Sequence, residues 1–274
     1  MGGLGNQMFQ YAAARSLAVR RGTSVCLDLS WFSSGFDENT TPRSYELDCF
    51  NLDRQTVKLD KNSFASRLGV NFSRQYTEPH FHYDKNFSNL PKRSILEGYF
   101  QSEKYFHEVR DMLLADFEWQ HDPLGKNKSL VRNISENNRS VAIHVRRGDY
   151  VSNASAADFH GLTDKAYYTS AVKKIMKIIP DANLYVFSDD PSWCRKNLKF
   201  SQKTIYISHN KTGSEDMRLM KLCRHNIIAN SSFSWWGAWL NQNPNKIVIA
   251  PKKWFLHSES NTKDVIPNKW IQIG

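Results

Sequence analysis

The stretch Val141–Val151, reading VAIHVRRGDYV, narrows the possible folds more than any other part of the chain. Val141, Ala142, Ile143 and Val145 form a short, nearly continuous apolar run, the pattern of a buried strand, although periodicity alone leaves a helical segment open. The run stops at Arg146, Arg147, Gly148 and Asp149. In an open α/β sheet, ligands bind outside the carboxyl ends of the strands, so two guanidinium groups at this point suit an anion. The guanidinium fork matches phosphate oxygens and stays charged at any working pH. Gly148 allows a sharp turn or a close approach. Asp149 suits either holding an arginine or facing a substrate. A solvated surface turn is the competing reading of these charges.

The rest of the second half fits a sheet. Asn183–Ser188 (NLYVFS) reads as a strand ending at Asp189 and Asp190, with Pro191 at the first position of a helix. Thr204–Ile207, Asn226–Ala229 and Lys246–Ala250 read as further strands. Ser214, Glu215 and Asp216 resemble the capped, acidic start of a helix carrying Met217, Leu219, Met220 and Cys223. Ser231, Ser232 and Ser234 open a helix with Trp235, Trp236, Trp239 and Leu240, and Tyr167–Ile179 fills the slot between the first two strands. Strands alternating with helices imply right-handed crossovers and a parallel sheet.

These residues carry a resemblance. HVRRGDY, FSDDPSW and NSSFSWWGAWL, in this order, resemble the motifs of the alpha-1,2-fucosyltransferase family, glycosyltransferase family 11. GGLGNQMFQYA (Gly2–Ala12), LDLSWF (Leu27–Phe32), YELDCF (Tyr45–Phe50) and GYFQSEKYF (Gly98–Phe106) extend it over almost the whole chain. The resemblance implies two Rossmann-like domains facing a cleft (GT-B-like). It implies transfer of L-fucose from GDP-β-L-fucose, with inversion, to O2 of a terminal β-galactoside in a surface polysaccharide or oligosaccharide. GDP-fucose is then a donor substrate and no cofactor is expected. Family members usually carry an apolar strand before the glycine loop, whereas Met1 here directly precedes Gly2. The first strand of the N-terminal sheet is therefore expected to be missing, and with it an anchor of the loop holding Asn6. If that absence is real, the rival reading is a non-catalytic nucleotide-sugar or glycan-binding protein.

Length and composition are consistent with this. At 274 residues the chain allows one or two domains. We expect an acceptor-side domain over 1–130 and a GDP-fucose-binding domain over 139–274, separated by the polar stretch Asp122–Asn138. No segment reaches the roughly 20 apolar residues of a membrane span, and no secretory signal opens the chain. Cys26, Cys49, Cys194 and Cys223 are scattered, as in a reduced, cytoplasmic protein. The formal charge of +10 favours anionic partners. No spaced nucleic-acid motif accompanies it, so nucleic acid is not expected; an acidic inner-membrane face is a further candidate contact.

In the first half, Gly2–Asn6 is expected to be a glycine loop before a helix over Gln7–Arg21 with Gly22 as its cap. Thr23–Leu29 and Ser94–Tyr99 are expected strands, and Ser102–Phe117 a helix. His80 and His82 could suggest a metal pair, but a catalytic zinc site wants a third ligand at readable spacing and none is found.

A diphosphate leaving group needs its developing charge stabilised. The sequence contains no Asp-X-Asp, the usual metal-holding pattern for such donors, so fixed cations are expected to replace a metal, with Arg146 first. His144 shares a strand face with Arg146 and suits phosphate or ribose, or else a satisfied buried position. Arg147, Ser231, Ser232 and Ser234 are candidate diphosphate ligands, the serines alternatively helix caps. Asp189, Asp190 and Asp216 are candidates for the guanine N–H pair, Asp189 and Asp190 alternatively caps of the helix at Pro191. Asp149 is the nearest candidate base, and Asn6 a candidate to orient the acceptor. The tryptophans are expected in the core.

Overall fold

A computed structural model describes residues 1–33, 41–59, 74–148, 158–159, 161–256 and 261–274. Asp149 lies outside these described residues. The chain divides into two compact units: Met1–His121 with Glu259–Pro267, and Asp122–Ser258 with Asn268–Gly274.

The first unit is built on helix α1 (Leu4–Arg21), whose Met8, Phe9, Tyr11, Ala12 and Ala13 are fully buried. It begins three residues before the expected Gln7, so most of the glycine loop is the helix's own first turn. It ends as expected: Gly22 is left-handed at φ 59 and its N–H bonds Ala18 O and Val19 O. Two short parallel pairs follow among the described residues: β1 (Cys26–Asp28) with β2 (Val57–Leu59), and β3 (Arg74–Thr77) with β4 (Ser94–Glu97). The expected strands Thr23–Leu29 and Ser94–Tyr99 are therefore shorter. The expected helix Ser102–Phe117 is corrected to two 3-10 turns and a short helix α2 (Arg110–Asp116). Phe106, at φ −146 and ψ 8, breaks the helical path.

The second unit is a six-stranded, all-parallel sheet of β5 (Ser140–Val145), β6 (Asn183–Ser188), β7 (Thr204–Ile207), β8 (His225–Ile227), β9 (Val248–Pro251) and β10 (Ile271–Ile273). Their spatial order is β10-β9-β8-β5-β6-β7. The chain starts in the middle, runs to one edge, returns beside β5 and runs to the other. Strand order thus reverses between β5 and β8, which is where doubly wound folds bind their ligands.

Every residue of β5 is buried because helices cover both faces. Val141, Ile143 and Val145 pack with Tyr168, Ala171 and Ile175 of one helix, α4 (Lys165–Met176), and with Cys194 of another, α5 (Pro191–Asn197). Ala142 faces the other way, joining Ile134 of α3 (Lys126–Ser135) and Leu219 and Met220 of α6 (Gly213–Leu222). The stretch expected as a polar linker, Asp122–Asn138, therefore contains a helix: Leu130, Val131 and Ile134 supply its apolar stripe. Helix α7 (Ser232–Trp239) buries Trp235, Trp236 and Trp239 at 0–1% exposure, and Trp270 packs on Trp235 at 5.4 Å.

Candidate functional site

Arg146 and Arg147 leave β5 at the switch point, and the β5–β6 register sets Val145 beside Ser188. The charged residues that follow each strand therefore meet. Arg146 Nη1 pairs with Asp189 Oδ2 at 2.8 Å, and Arg147 N donates to Asp189 Oδ1 at 2.8 Å. Arg147 Nε reaches Asp190 Oδ2 at 3.3 Å, and its guanidinium lies 4.0 Å from the centre of the Trp193 ring. Asp190 Oδ1 accepts from Trp193 N at 2.9 Å and so caps α5. A Cβ at position 148 would stand 2.6 Å from Asp189 Oδ2, so Gly148 is required for the carboxylate's approach.

His144 is 4% exposed, and its Nδ1 has no hydrogen-bond partner among the described residues. Burial, and then the Arg146 charge, pull its pKa down to about 3, so the ring is neutral at neutral pH. It can exchange a hydrogen bond with a ligand but is not a proton-donating imidazolium. The ring lies 5.1 Å from that of Phe233 in the first turn of α7, and Phe233 would crowd any Cβ on Gly213 at the start of α6 at 3.1 Å. The end of β5 and the starts of α6 and α7 therefore converge. Ser231 is the N-cap residue of α7, yet its side chain makes no capping hydrogen bond. The helix start thus keeps main-chain N–H donors for an anion. Ser234 is fully buried and its Oγ donates to Ala229 O and Ser231 O, which ties it to the helix turn.

Asp216 sits in the first turn of α6 and accepts from Asn210 Nδ2 at 2.7 Å. Burial raises its carboxyl to about 6, against the Asn210 hydrogen bond and with help from the Glu215 charge.

In the first unit, Gln101 Nε2 donates to Asn6 Oδ1 at 2.9 Å. Gln101 follows Phe100, a buried non-glycine residue at φ 52. Such backbone persists only when its surroundings enforce it. Here Glu78 Oε2 accepts from Tyr99 N at 2.7 Å and Phe100 N at 3.0 Å. Gln7 fastens the other side, donating to Gly2 O and Ser44 O and accepting from Glu46 N.

A profile described as glycosyl transferase family 11 matches residues 1–274. The chain belongs to glycosyl transferase family 11. This family 11 chain is 36% identical over 289 residues to an alpha-1,2-colitosyltransferase of Escherichia coli, covering 99% of the chain and 96% of the relative. It is 35% identical over 303 residues to the O-antigen biosynthesis glycosyltransferase WbnK of Escherichia coli, covering 99% and 98%. It is 23% identical over 279 residues to a galactoside alpha-(1,2)-fucosyltransferase 2 of Oryctolagus cuniculus, covering 93% and 73%.

Of the residues proposed from sequence, the structure of this glycosyltransferase brings together His144, Arg146, Arg147, Asp189 and Asp190 at the end of β5. The roles sort differently from the expectation. Asp189 holds Arg146 and Asp190 caps α5, the bland alternative for that residue. Arg147 stacks on Trp193. Gln101, Glu78, Trp193, Asn127 and Asn210 were not assigned roles in the sequence. Gln101 belongs to the GYFQSEKYF motif, but its partnership with Asn6 needs tertiary structure. His80 and His82 stack with ring centres 3.4 Å apart, and no group of three or more potential metal ligands occurs among the described residues. No helix among them is long and apolar enough to cross a membrane.

Proposed function

We propose that this glycosyltransferase moves a 6-deoxyhexose, L-fucose in the first instance, from a GDP-β-linked donor to O2 of a terminal β-galactoside, inverting the anomeric centre. One observation carries the reading: Arg146, held by Asp189, leaves the sheet at its switch point two residues after His144, whose ring lies 5.1 Å from Phe233 in the uncapped first turn of α7. The bond from the anomeric carbon to the β-phosphate oxygen breaks, and its electron pair stays on the diphosphate. The Arg146 guanidinium and the α7 N–H groups meet that charge. Neutral His144 supplies a hydrogen bond to phosphate or ribose. Asp216 accepts from guanine N1–H and its exocyclic amine. The acceptor O2 bonds the opposite face of the anomeric carbon, and its proton passes to Asp149; a strongly dissociative transition state asks little of that base. Asn6, held by Gln101, orients the acceptor.

The names of the relatives support a 1,2-linkage and divide over the sugar. One is a colitosyltransferase and another a fucosyltransferase. Colitose is fucose without its 3-hydroxyl, so a colitosyl donor is the second reading. The test is GDP release and product mass with each GDP-sugar, with and without β-galactosides. We expect GDP release from one donor to rise when a galactoside is added. No turnover of either donor would leave a binding protein.

A further inference from the structure

A partly buried chain of hydrogen bonds ends on Asp216. Arg218 Nε and Nη2 both reach Glu215 Oε1, at 3.1 and 3.0 Å. Asn127 Nδ2 donates to Glu215 Oε2 at 2.8 Å and to Asn210 Oδ1 at 2.9 Å. His209 Nε2 lies 2.8 Å from Asn127 Oδ1, and Asn210 Nδ2 donates to Asp216 Oδ1 at 2.7 Å. Asn127 is 4% exposed and Arg218 9%.

The chain can run in only one direction. A carboxylate only accepts, so Glu215 fixes which end of the Asn127 amide is NH₂. The second hydrogen of that NH₂ then fixes Asn210 with its oxygen toward Asn127 and its own NH₂ toward Asp216. Asn127 Oδ1 in turn requires His209 to carry its proton on Nε2. Flipping either amide sets donor against donor or acceptor against acceptor where the groups are largely shielded from water, so both bonds of that amide are lost together. Asp216 Oδ1 is thus tethered, while Oδ2 makes no hydrogen bond among the described residues.

Resting on the reading of Asp216 as the guanine acceptor, we propose that Asn210, oriented by Asn127, is a positioning residue for nucleotide specificity. It fixes the carboxylate plane and leaves Oδ2, with the second lone pair of Oδ1, for two adjacent N–H donors on a purine edge. It also favours the charged carboxylate, opposing burial and the Glu215 charge, the one charge among the described residues that shifts Asp216. Arg218 is engaged by Glu215, and His209 reaches Asp216 only through the two asparagines. Helix α3 contributes the neutral Asn127, and α7 contains no charged residue.

The experiment titrates the full chain with GDP and with IDP, whose base keeps N1–H but lacks the exocyclic amine, from pH 5.5 to 8.5. Wild type is compared with Asp216→Asn, Asn210→Ala and Asn210→Asp, each with its thermal unfolding. At pH 7, Asn210→Ala should lose about tenfold in GDP affinity, the scale of one charge-assisted hydrogen bond. Its preference for GDP over IDP should shrink, and the pH midpoint of GDP binding should rise. Asn210→Asp should do the opposite of wild type and gain GDP affinity as pH falls, because the two carboxyls then share a proton and the donor to Asp216 returns. A merely structural role would lower unfolding temperature and move neither the GDP/IDP ratio nor the pH profile. If Asp216→Asn loses GDP while Asn210→Ala keeps the wild-type ratio and midpoint, the positioning role is overturned and the guanine reading stands. If Asn210→Ala does not fold, Asn210→Asp decides, and absence of the reversed pH dependence overturns the role. GDP binding unchanged in Asp216→Asn overturns both.

Discussion

Arg146→Lys separates catalysis from folding. The guanidinium gives Nη1 to Asp189 at 2.8 Å from a rigid fork of five donors, a geometry that an ammonium lacks. An ammonium on a flexible stem is a point donor; if it stays with Asp189 the diphosphate loses its cation, and if it swings out it is no longer held. Losing one preorganised donor to a developing charge costs about 3–4 kcal/mol, roughly a 10²–10³-fold fall in kcat. Stability responds far less. The Arg146 and Asp189 side chains are 22% and 25% exposed, the substitution keeps the charge, and a partly solvated pair contributes about 1 kcal/mol or less. The assay is kcat at saturating donor together with urea unfolding of both proteins. A Lys variant that folds like wild type and turns over within about threefold of it would remove Arg146 from the reaction, since 1.4 kcal/mol already corresponds to tenfold.

If Arg146 replaces a metal, as the absence of Asp-X-Asp from the sequence leads us to propose, activity should persist in EDTA; complete loss rescued by manganese would refute this. His144 gives stability a pH dependence. Its folded pKa of about 3 lies below its ordinary 6.5, so the unfolded chain binds more protons between those values and this contribution is lost as pH falls through that window. Asp216, raised from 3.8 to about 6, has the opposite slope, so the histidine is isolated by comparing wild type with His144→Gln in urea at pH 7 and pH 5. The variant should lose less stability on acidification; equal losses would show that His144 is charged in the fold. Lys246 Nζ donates to Ala238 O, Trp239 O and Asn241 O, closing the carboxyl end of α7. Lys246→Met should cost about 2–3 kcal/mol, roughly 4–8 °C in Tm, with GDP affinity kept when measured below the transition.

The second unit was legible because strands covered on both faces must be apolar along their length. Each of β5, β6, β8 and β9 stood out as such a run and the half-exposed edge strand β7 as a short β-branched one, their ends displaced by two residues at most, while β10, with Gln272 exposed between two half-exposed isoleucines, gave no such signal. The first unit was harder to read. Its strands have three or four residues and mostly exposed or half-exposed positions, so neither alternation nor a run develops. Helix α3 was concealed by Lys126, Lys128 and Arg132, which lie off the one stripe that meets the sheet, and by Asn127, which is buried but polar because it bonds Glu215 and Asn210.

The partner of Arg146 shows what a sequence holds but does not display. In the sequence, Asp149 suits either holding an arginine or facing a substrate; the carboxylate paired with Arg146 among the described residues is Asp189, distant in the chain. Yet β5 and β6 have the same form: six residues, SVAIHV and NLYVFS, each closed by a charged doublet, Arg146–Arg147 on one and Asp189–Asp190 on the other. Laid side by side as parallel strands with their ends flush, they set each arginine beside an aspartate, and that is the observed register, Val145 against Ser188. A slip of one residue would flip every side chain of β6 to the other face, placing Tyr185 and Phe187 where Val186 now packs and leaving one arginine without its carboxylate. Sheet packing and the charged doublets thus favour the same pairing. The doublets also form part of the candidate site, so the contacts that fix the register of the two strands are those that hold Arg146 in place.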